Sequence, residues 1–215
     1  MKIALFGYGK MGKCVERIAL SEGHEISTVE EADVAIDFSH PDALFSHVKL
    51  AVSHSLPLII GTTGWEQNFD EIRQWVKKHE GAALYAPNFS LGMHLFIQVL
   101  KKARELLAPF PEYAIAGLEW HHSEKKDAPS GTAKQIESEL NMPSPFTSVR
   151  LGSMPGRHEV IFDSPSETLT FSHEARGRMG FAGGAIQAAK WILNRKGWFT
   201  LDDMFRSLYS HDHSL

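Results

Sequence analysis

From Lys2 to Tyr85, short apolar runs alternate with amphipathic stretches. Ile3–Phe6, Val34–Phe38, Leu58–Ile60 and Ala83–Tyr85 have the near-continuous apolar character of strands buried on both faces. Met11–Ser21, Pro41–Val52, Phe69–His79 and Met93–Leu107 carry apolar residues at helical spacing. The alternation predicts an α/β protein with a Rossmann-type, doubly wound parallel sheet and ligand loops at the carboxyl ends of its strands. Further on the pattern changes. Val149–Leu151, Glu159–Phe162 and Thr168–Ser172 read as consecutive strands between polar turns, which predicts a second, α+β domain with a mixed or antiparallel sheet. Helical periodicity returns at Ala185–Leu193 and Met204–Tyr209. No internal repeat or low-complexity linker interrupts this, so the hinges are expected to be short, near Pro87–Ser90 and Gly177–Phe181.

The first strand runs into Gly7-Tyr8-Gly9-Lys10-Met11-Gly12, with Val15, Ile18 and Ala19 at helical spacing behind it. This is the G-x-G-x-x-G fingerprint in its confirming context of strand, tight turn and helix. Gly7 permits the turn, Gly9 admits a pyrophosphate to the backbone, and Gly12 lets helix and sheet pack closely. Glycine-rich turns are common, so position carries the reading. Gly61-Thr62-Thr63-Gly64 falls at the end of a later strand, and Ala86-Pro87-Asn88-Phe89 at the end of another. Both are candidate cofactor loops. Between Gly23-His24-Glu25-Ile26-Ser27 and Asp33 there is hardly room for a second strand plus its helix, since a crossover takes about ten to twelve residues. The group that would grip the adenosine ribose is therefore not visible; Glu30 and Glu31 read equally well as a solvated turn.

The densest chemistry lies in Glu119-Trp120-His121-His122-Ser123-Glu124-Lys125-Lys126-Asp127-Ala128-Pro129-Ser130-Gly131-Thr132, after an apolar strand-like stretch. Pro-Ser-Gly-Thr opens a helix, and the N–H groups of Ser130, Gly131 and Thr132 would face outward as an anion cradle. His121, His122 and Lys125 add the proton donors and positive charge that a carboxylate substrate requires. Adjacent histidines alone would as readily be a solvated loop; the whole run would not.

Composition narrows the class. A chain of 215 residues can hold one large or two small domains. A net charge of −4 argues against nucleic acid or a membrane surface as partner. No apolar stretch is long enough to span a membrane and the start reads as a strand rather than a signal peptide, so a cytoplasmic location is expected. The single cysteine, Cys14, sits in a predicted helix and excludes an internal disulfide framework. Metal is not expected. His121 and His122 cannot readily face one ion, and twelve histidines without a Cys cluster or an H-x-x-x-H pair make no zinc motif. His211 and His213 read as a terminal tail, and no Gly-Lys-Ser/Thr turns the glycines into a P-loop.

The chain resembles the 4-hydroxy-tetrahydrodipicolinate (dihydrodipicolinate) reductase family of lysine and diaminopimelate synthesis. The likeness rests on Gly7–Gly12, Ile36-Asp37-Phe38-Ser39, Gly61–Gly64, Ala86–Ser90, the His121–Thr132 run with its K-x-D-A-P-S-G-T element, Gly156-Arg157-His158-Glu159 and Phe181–Ala185, in that order. It implies NADPH- or NADH-dependent reduction of a cyclic dicarboxylate, with loss of water from the hydroxylated precursor. His121 and Lys125 match the implied proton donors and His122 a substrate contact, while Ser130, Gly131 and Thr132 hold a carboxylate. Thr63 is implied near cofactor and substrate. Arg178 is a further implied contact, with an ordinary surface guanidinium the equal alternative, and Gly183 stands where the family often has Asn. The implied architecture is a dinucleotide domain over 1–89, completed by helices in 180–215, and a substrate and oligomerisation domain over 90–179 that builds a homotetramer. Two alternatives stand beside it. Another nicotinamide dehydrogenase on a carboxylated amino-acid precursor would not explain the full D-A-P-S-G-T run. A non-catalytic dinucleotide-sensing module would be expected to lack His121 or Lys125.

Overall fold

The computed structural model describes residues 1–210 and divides into two units, Met1–Ser90 with the chain from Arg178 onward, and Leu91–Gly177. The two tail histidines and the last five residues of the 180–215 segment lie outside the described residues.

In the first unit, β1 (Lys2–Phe6), β2 (Glu25–Ile26), β3 (Val34–Asp37), β4 (Leu58–Ile60), β5 (Ala82–Tyr85) and β10 (Gly197–Phe199) form one sheet in the order β10-β5-β4-β3-β1-β2. Every pairing is parallel. Helices α1 (Lys10–Ser21), α2 (Pro41–Ser53), α3 (Phe69–Lys78), α6 (Met179–Ile192) and α7 (Leu201–Ser210) accompany it. The strands are apolar on both faces because both are covered: β3 and β4 are wholly buried. Trp65, Leu44, Val48, Ile72 and Val76 fill one side of the sheet. Ala182, Ala185, Ala188 and Ala189 give α6 a small-residue face that lets it lie close on β3, β4 and β5.

The trimmed second crossover is resolved in this sheet. A second strand does fit, but it is two residues long, and no helix follows it. The chain turns at Thr28–Glu31 and enters β3 on the other side of β1, with Val29 and Ala32 packed against the core. Sequence pattern also misses β10, a three-residue strand beside β5.

The second unit holds α4 (Leu91–Leu107), β6 (Ala114–His121), α5 (Gly131–Leu140), β7 (Thr147–Arg150), β8 (Arg157–Asp163) and β9 (Thr168–Glu174). Its sheet runs β7-β6-β8-β9, with β7 parallel to β6 and the other pairings antiparallel, a mixed sheet. Ile115, Val160 and Phe162 pack with Phe96, Ile97 and Leu100 of α4 and Ile136 and Leu140 of α5. The other face, carrying Ala114 and Ala116 beside Ile161 and Thr170, is exposed or half-buried. Among the described residues no helix is long and apolar enough to cross a membrane.

Candidate active site

In the first unit, the glycine turn joins β1 to α1. Gly7 has φ +89°, and a Cβ there would come within 2.5 Å of the Phe38 carbonyl. A Cβ on Gly12 would meet the Gly7 carbonyl at 2.2 Å, whereas one on Gly9 would enter open space. Gly9 is also the N-cap of α1 and provides no side-chain acceptor, and no acidic residue stands in the first turn. Backbone N–H groups at an uncapped helix start beside open space are what a pyrophosphate requires, so these residues fit a dinucleotide. Tyr8 and Lys10 are exposed and Met11 half-buried. The Tyr8 hydroxyl donates to Glu16, and Lys13 reaches over its ring at 5.8 Å.

The other strand-end loops are shaped by a buried carboxylate. Asp37, at the end of β3, accepts from the Ser39 amide (2.8 Å), the Ser39 hydroxyl (2.7 Å) and the Thr62 hydroxyl (2.7 Å). His47 Nδ1 lies 2.8 Å from its other oxygen, and that imidazole stacks on Phe6 at 4.4 Å. Thr62 is consequently buried, and its carbonyl accepts from the Trp65 indole at 2.6 Å. Its polar groups are all engaged within the unit: the amide and hydroxyl donate to Asp37 and the hydroxyl accepts from the Ser39 amide at 2.9 Å. Gly61 is required by Phe38: a Cβ there would lie 2.0 Å from its ring. Phe89 is likewise buried, edge-on to Phe38, and Ala86 is buried beside it. Thr63 and Pro87 are exposed, while Asn88 is half-buried and accepts from the Ser90 amide at 2.8 Å.

The second unit collects the charged loop. His121 is not in the loop but is the last residue of β6, 9 % exposed, while His122 points to solvent. Lys125 bonds the Asp127 carboxylate at 2.7 Å. That hydrogen bond leads in holding the Asp127 carboxyl below its ordinary value, with help from the Gly131 amide. Ser130 is the N-cap of α5, its hydroxyl accepting from the Ala133 amide at 3.1 Å; Pro129 therefore precedes the helix rather than sitting in its first turn. One expected cradle donor is taken: the Ser130 amide donates to both oxygens of Glu119, at 3.0 and 3.2 Å. Gly131 is exposed and Thr132 half-buried at the first turn.

Glu119 is the functional candidate that sequence reasoning passed over. Fully buried on β6, it accepts from Ser148 Oγ (2.7 Å) and Arg150 Nη2 (2.9 Å) as well as Ser130. His121 Nδ1 and His158 Nε2 each lie 3.5 Å from its second oxygen. Burial alone would raise this carboxyl, but the bonds from Ser130, Ser148 and Arg150 prevail and hold it at about 2. His158 is pushed down to about 4, chiefly by burial. His121 is lowered too, by burial first, against the opposing pull of Glu119. These three side chains gather within 4.8 Å, across strands that sequence reasoning on His121 and His122 did not compare. Arg150 opposes a cation there, and the carboxylate is already occupied by N–H and O–H donors. The available signal was phase: Glu119 shares the buried alternation of Ile115, Gly117 and His121.

An uncapped, glycine-lined turn at a parallel strand end and, in the second unit, His121 at a strand end followed by a loop bearing His122, Lys125 and Lys126 are features that suit a nicotinamide-dependent oxidoreductase acting on an anionic substrate. Residues 23–89 match the model for the dihydrodipicolinate reductase N-terminus, and residues 92–205 that for its C-terminus. The chain belongs to the dihydrodipicolinate reductase family. It is 33% identical to a 4-hydroxy-tetrahydrodipicolinate reductase of Christiangramia forsetii over 98% of this chain and all of that one. It is 34% identical to another from Thermosipho africanus, over 97% of this chain and all of that one. In fold it is similar to the dipicolinate-bound dihydrodipicolinate reductase from Paenisporosarcina sp. TG-14, with TM-score 0.75 and 22% identity over 93% of this chain and 97% of that one. The reaction is therefore reduction of 4-hydroxy-tetrahydrodipicolinate to tetrahydrodipicolinate with loss of water, using NADH or NADPH, in lysine and diaminopimelate synthesis. This sets aside the other-dehydrogenase and sensing-module alternatives.

Proposed function

We propose that the first unit is the dinucleotide domain and that the second binds substrate through the loop from His121 to Thr132. The observation that carries this is an anion already seated there: Asp127, between the Lys125 ammonium at 2.7 Å and the start of α5. A substrate carboxylate suits the same corner, where Gly131 and Thr132 supply backbone and hydroxyl and His122 a solvent-facing contact. Dipicolinate, bound by the Paenisporosarcina protein, is a planar dicarboxylate of this kind. The turn Gly7–Gly12 seats the pyrophosphate, with Gly61–Thr63 and Ala86–Phe89 walling the cofactor loops. When bound, NADH or NADPH supplies the hydride. His121 and Lys125 deliver the proton to the far end of the unsaturated system as negative charge develops there. Burial keeps His121 neutral in the free protein, and an arriving dianion favours its imidazolium form.

The test is nicotinamide oxidation followed in absorbance, with substrate generated in place from aspartate semialdehyde and pyruvate. Turnover only with that substrate supports the reading; none with it overturns it. The cytoplasm is the compartment that fits, and a homotetramer the assembly. Support for the tetramer is the sheet face bearing Ala114, Ala116 and Ile161, which no helix of its own unit covers among the described residues. A sharp monomer mass by light scattering at micromolar concentration would refute it.

A further inference from the structure

We propose that Glu119 is a positioning residue for the reduction: its buried carboxylate seats the start of α5 and the Lys125–Asp127 turn, and stands as the fixed counterion of His121. The second half of this rests on the reading of His121 as proton donor.

The strand register explains how one side chain reaches so much. Glu119 on β6 is paired with Ser148 on β7 and His158 on β8, so the three form a row on one face. Oε1 takes Ser148, Arg150 and the Ser130 amide, while Oε2 takes the Ser130 amide and faces the two imidazoles. Arg150 carries the anchorage onward, donating to the Asp127 carbonyl at 2.6 Å and the Lys125 carbonyl at 3.4 Å. Through Arg150 and the Ser130 amide, one carboxylate is thus linked to Lys125, Asp127 and Ser130 of the turn. Stability alone does not account for this choice, because replacing a buried ion pair by well-packed apolar residues is often neutral or better.

The counterion role follows from an atom without a partner. His121 Nδ1 is buried and makes no hydrogen bond. When the ring is doubly protonated, its Nδ1–H meets Oε2 after a small closure from 3.5 Å. The opposite edge is kept clear by Gly156, where a Cβ would lie 3.1 Å from Nε2. The charged and titratable groups facing the ring are Glu119 on β6, Lys125 and Asp127 in the loop, Arg150 on β7 and His158 on β8. Glu119 and Asp127 favour the imidazolium; Lys125, Arg150 and burial oppose it.

Two substitutions should move the pH profile in opposite directions. A proton donor must be charged, so kcat falls as pH rises through the His121 value. Glu119→Gln keeps the volume and removes the charge, which lowers that value and moves the falling limb to lower pH. Arg150→Gln removes an opposing charge and moves the limb to higher pH. We expect Glu119→Gln to lower kcat by at least roughly tenfold, to weaken dipicolinate binding, and to leave nicotinamide affinity in calorimetry unchanged within about twofold. Glu119→Asp, which retains the charge on a shorter arm, should return the limb towards its original position while dipicolinate stays weak. Should Glu119→Gln not fold, Arg150→Gln and Glu119→Asp carry the same two readouts. Shifts of the same sign in both Gln variants, or an unmoved limb in either, would overturn the counterion role. Unchanged dipicolinate affinity in the Glu119 variants would overturn the anchoring role. A His121→Ala enzyme with full turnover would instead sink the donor assignment on which the counterion argument depends.

Discussion

Two buried carboxylates organise this molecule, one in each unit, and they are built differently. Asp37 is surrounded by two hydroxyls, an amide and one imidazole, and through Ser39 and Thr62 it fixes the loops that leave β3 and β4. Glu119 is held by a guanidinium, an amide and a hydroxyl, and two further imidazoles wait beside it. The contrast separates a latch from a working part. A carboxylate met mainly by neutral donors fixes a loop once, whereas one set among titratable groups can answer a change of charge nearby.

The comparison breaks most visibly in turnover. His121→Ala and Lys125→Ala should each lower the rate by roughly 10²–10⁴-fold, the usual worth of a positioned acid. Calorimetry should find nicotinamide affinity nearly intact in both. Parallel loss of affinity and rate would dissolve the division between the units.

Stability comes next. Glu119→Ala strands the Arg150 guanidinium and should cost about 3–5 kcal/mol, the range for breaking a buried pair. Asp37→Ala strands mostly neutral donors and should cost about 1–3 kcal/mol. Urea unfolding of both variants gives the ranking, and a costlier Asp37→Ala would reverse the assignment of latch and working part.

Much of this architecture was legible in the chain. The parallel sheet was readable because each strand is a short apolar run and each helix keeps its period, so local pattern and tertiary burial agree. The glycine turn and the cationic loop were readable because their chemistry is contiguous. The Glu119 cluster was not, because its members lie on three strands and meet only through pairing register. Glu119 itself sits inside the loop motif and looks like one more polar residue until its phase on β6 is considered. β10 escaped for a related reason: Gly197-Trp198-Phe199 is too short to show a period, and only its place beside β5 makes it a strand. Ser130 shows the converse, since a capping motif predicts a helix start but not that a distant carboxylate occupies its amide.

Acid should reach the second unit in two stages. His158 is held at about 4 against an ordinary 6.5, so the folded form resists protonation and stability falls as pH drops from 6.5 towards 4. Glu119, held at about 2 against 4.5, contributes fully above 4.5 and loses that contribution as pH drops towards 2. Thermal midpoints should decline through both windows, and Glu119→Gln should flatten only the lower one. An unchanged slope below pH 4.5 in that variant would contradict the assignment.

The smallest effect concerns the cofactor. Discrimination needs a ribose carboxylate or a phosphate-binding cation with firm support. Here the stretch after the two-residue β2 offers the exposed carboxylates Glu30, Glu31 and Asp33, of which Glu31 lies 3.5 Å from the Lys2 ammonium and Asp33 accepts from the Lys2 amide at 2.7 Å, while Lys13 lies over Tyr8. Exposed pairs are worth ~0–1 kcal/mol. NADH and NADPH should therefore differ in catalytic efficiency by roughly tenfold or less, one decade being ~1.4 kcal/mol. A preference of several hundredfold in steady-state kinetics would point to a ribose-gripping group elsewhere.

That abbreviated β2 has a second consequence, for behaviour in crowded solution. A strand edge recruits foreign chains in proportion to the unpaired backbone it displays. The first sheet ends on two residues at one side and three at the other, an edge too brief to template growth. The second ends on the seven residues of β9, largely exposed. During refolding, misassociation between chains should therefore start from β9, and the loss of the second crossover leaves the nucleotide sheet with nothing for a neighbour to extend.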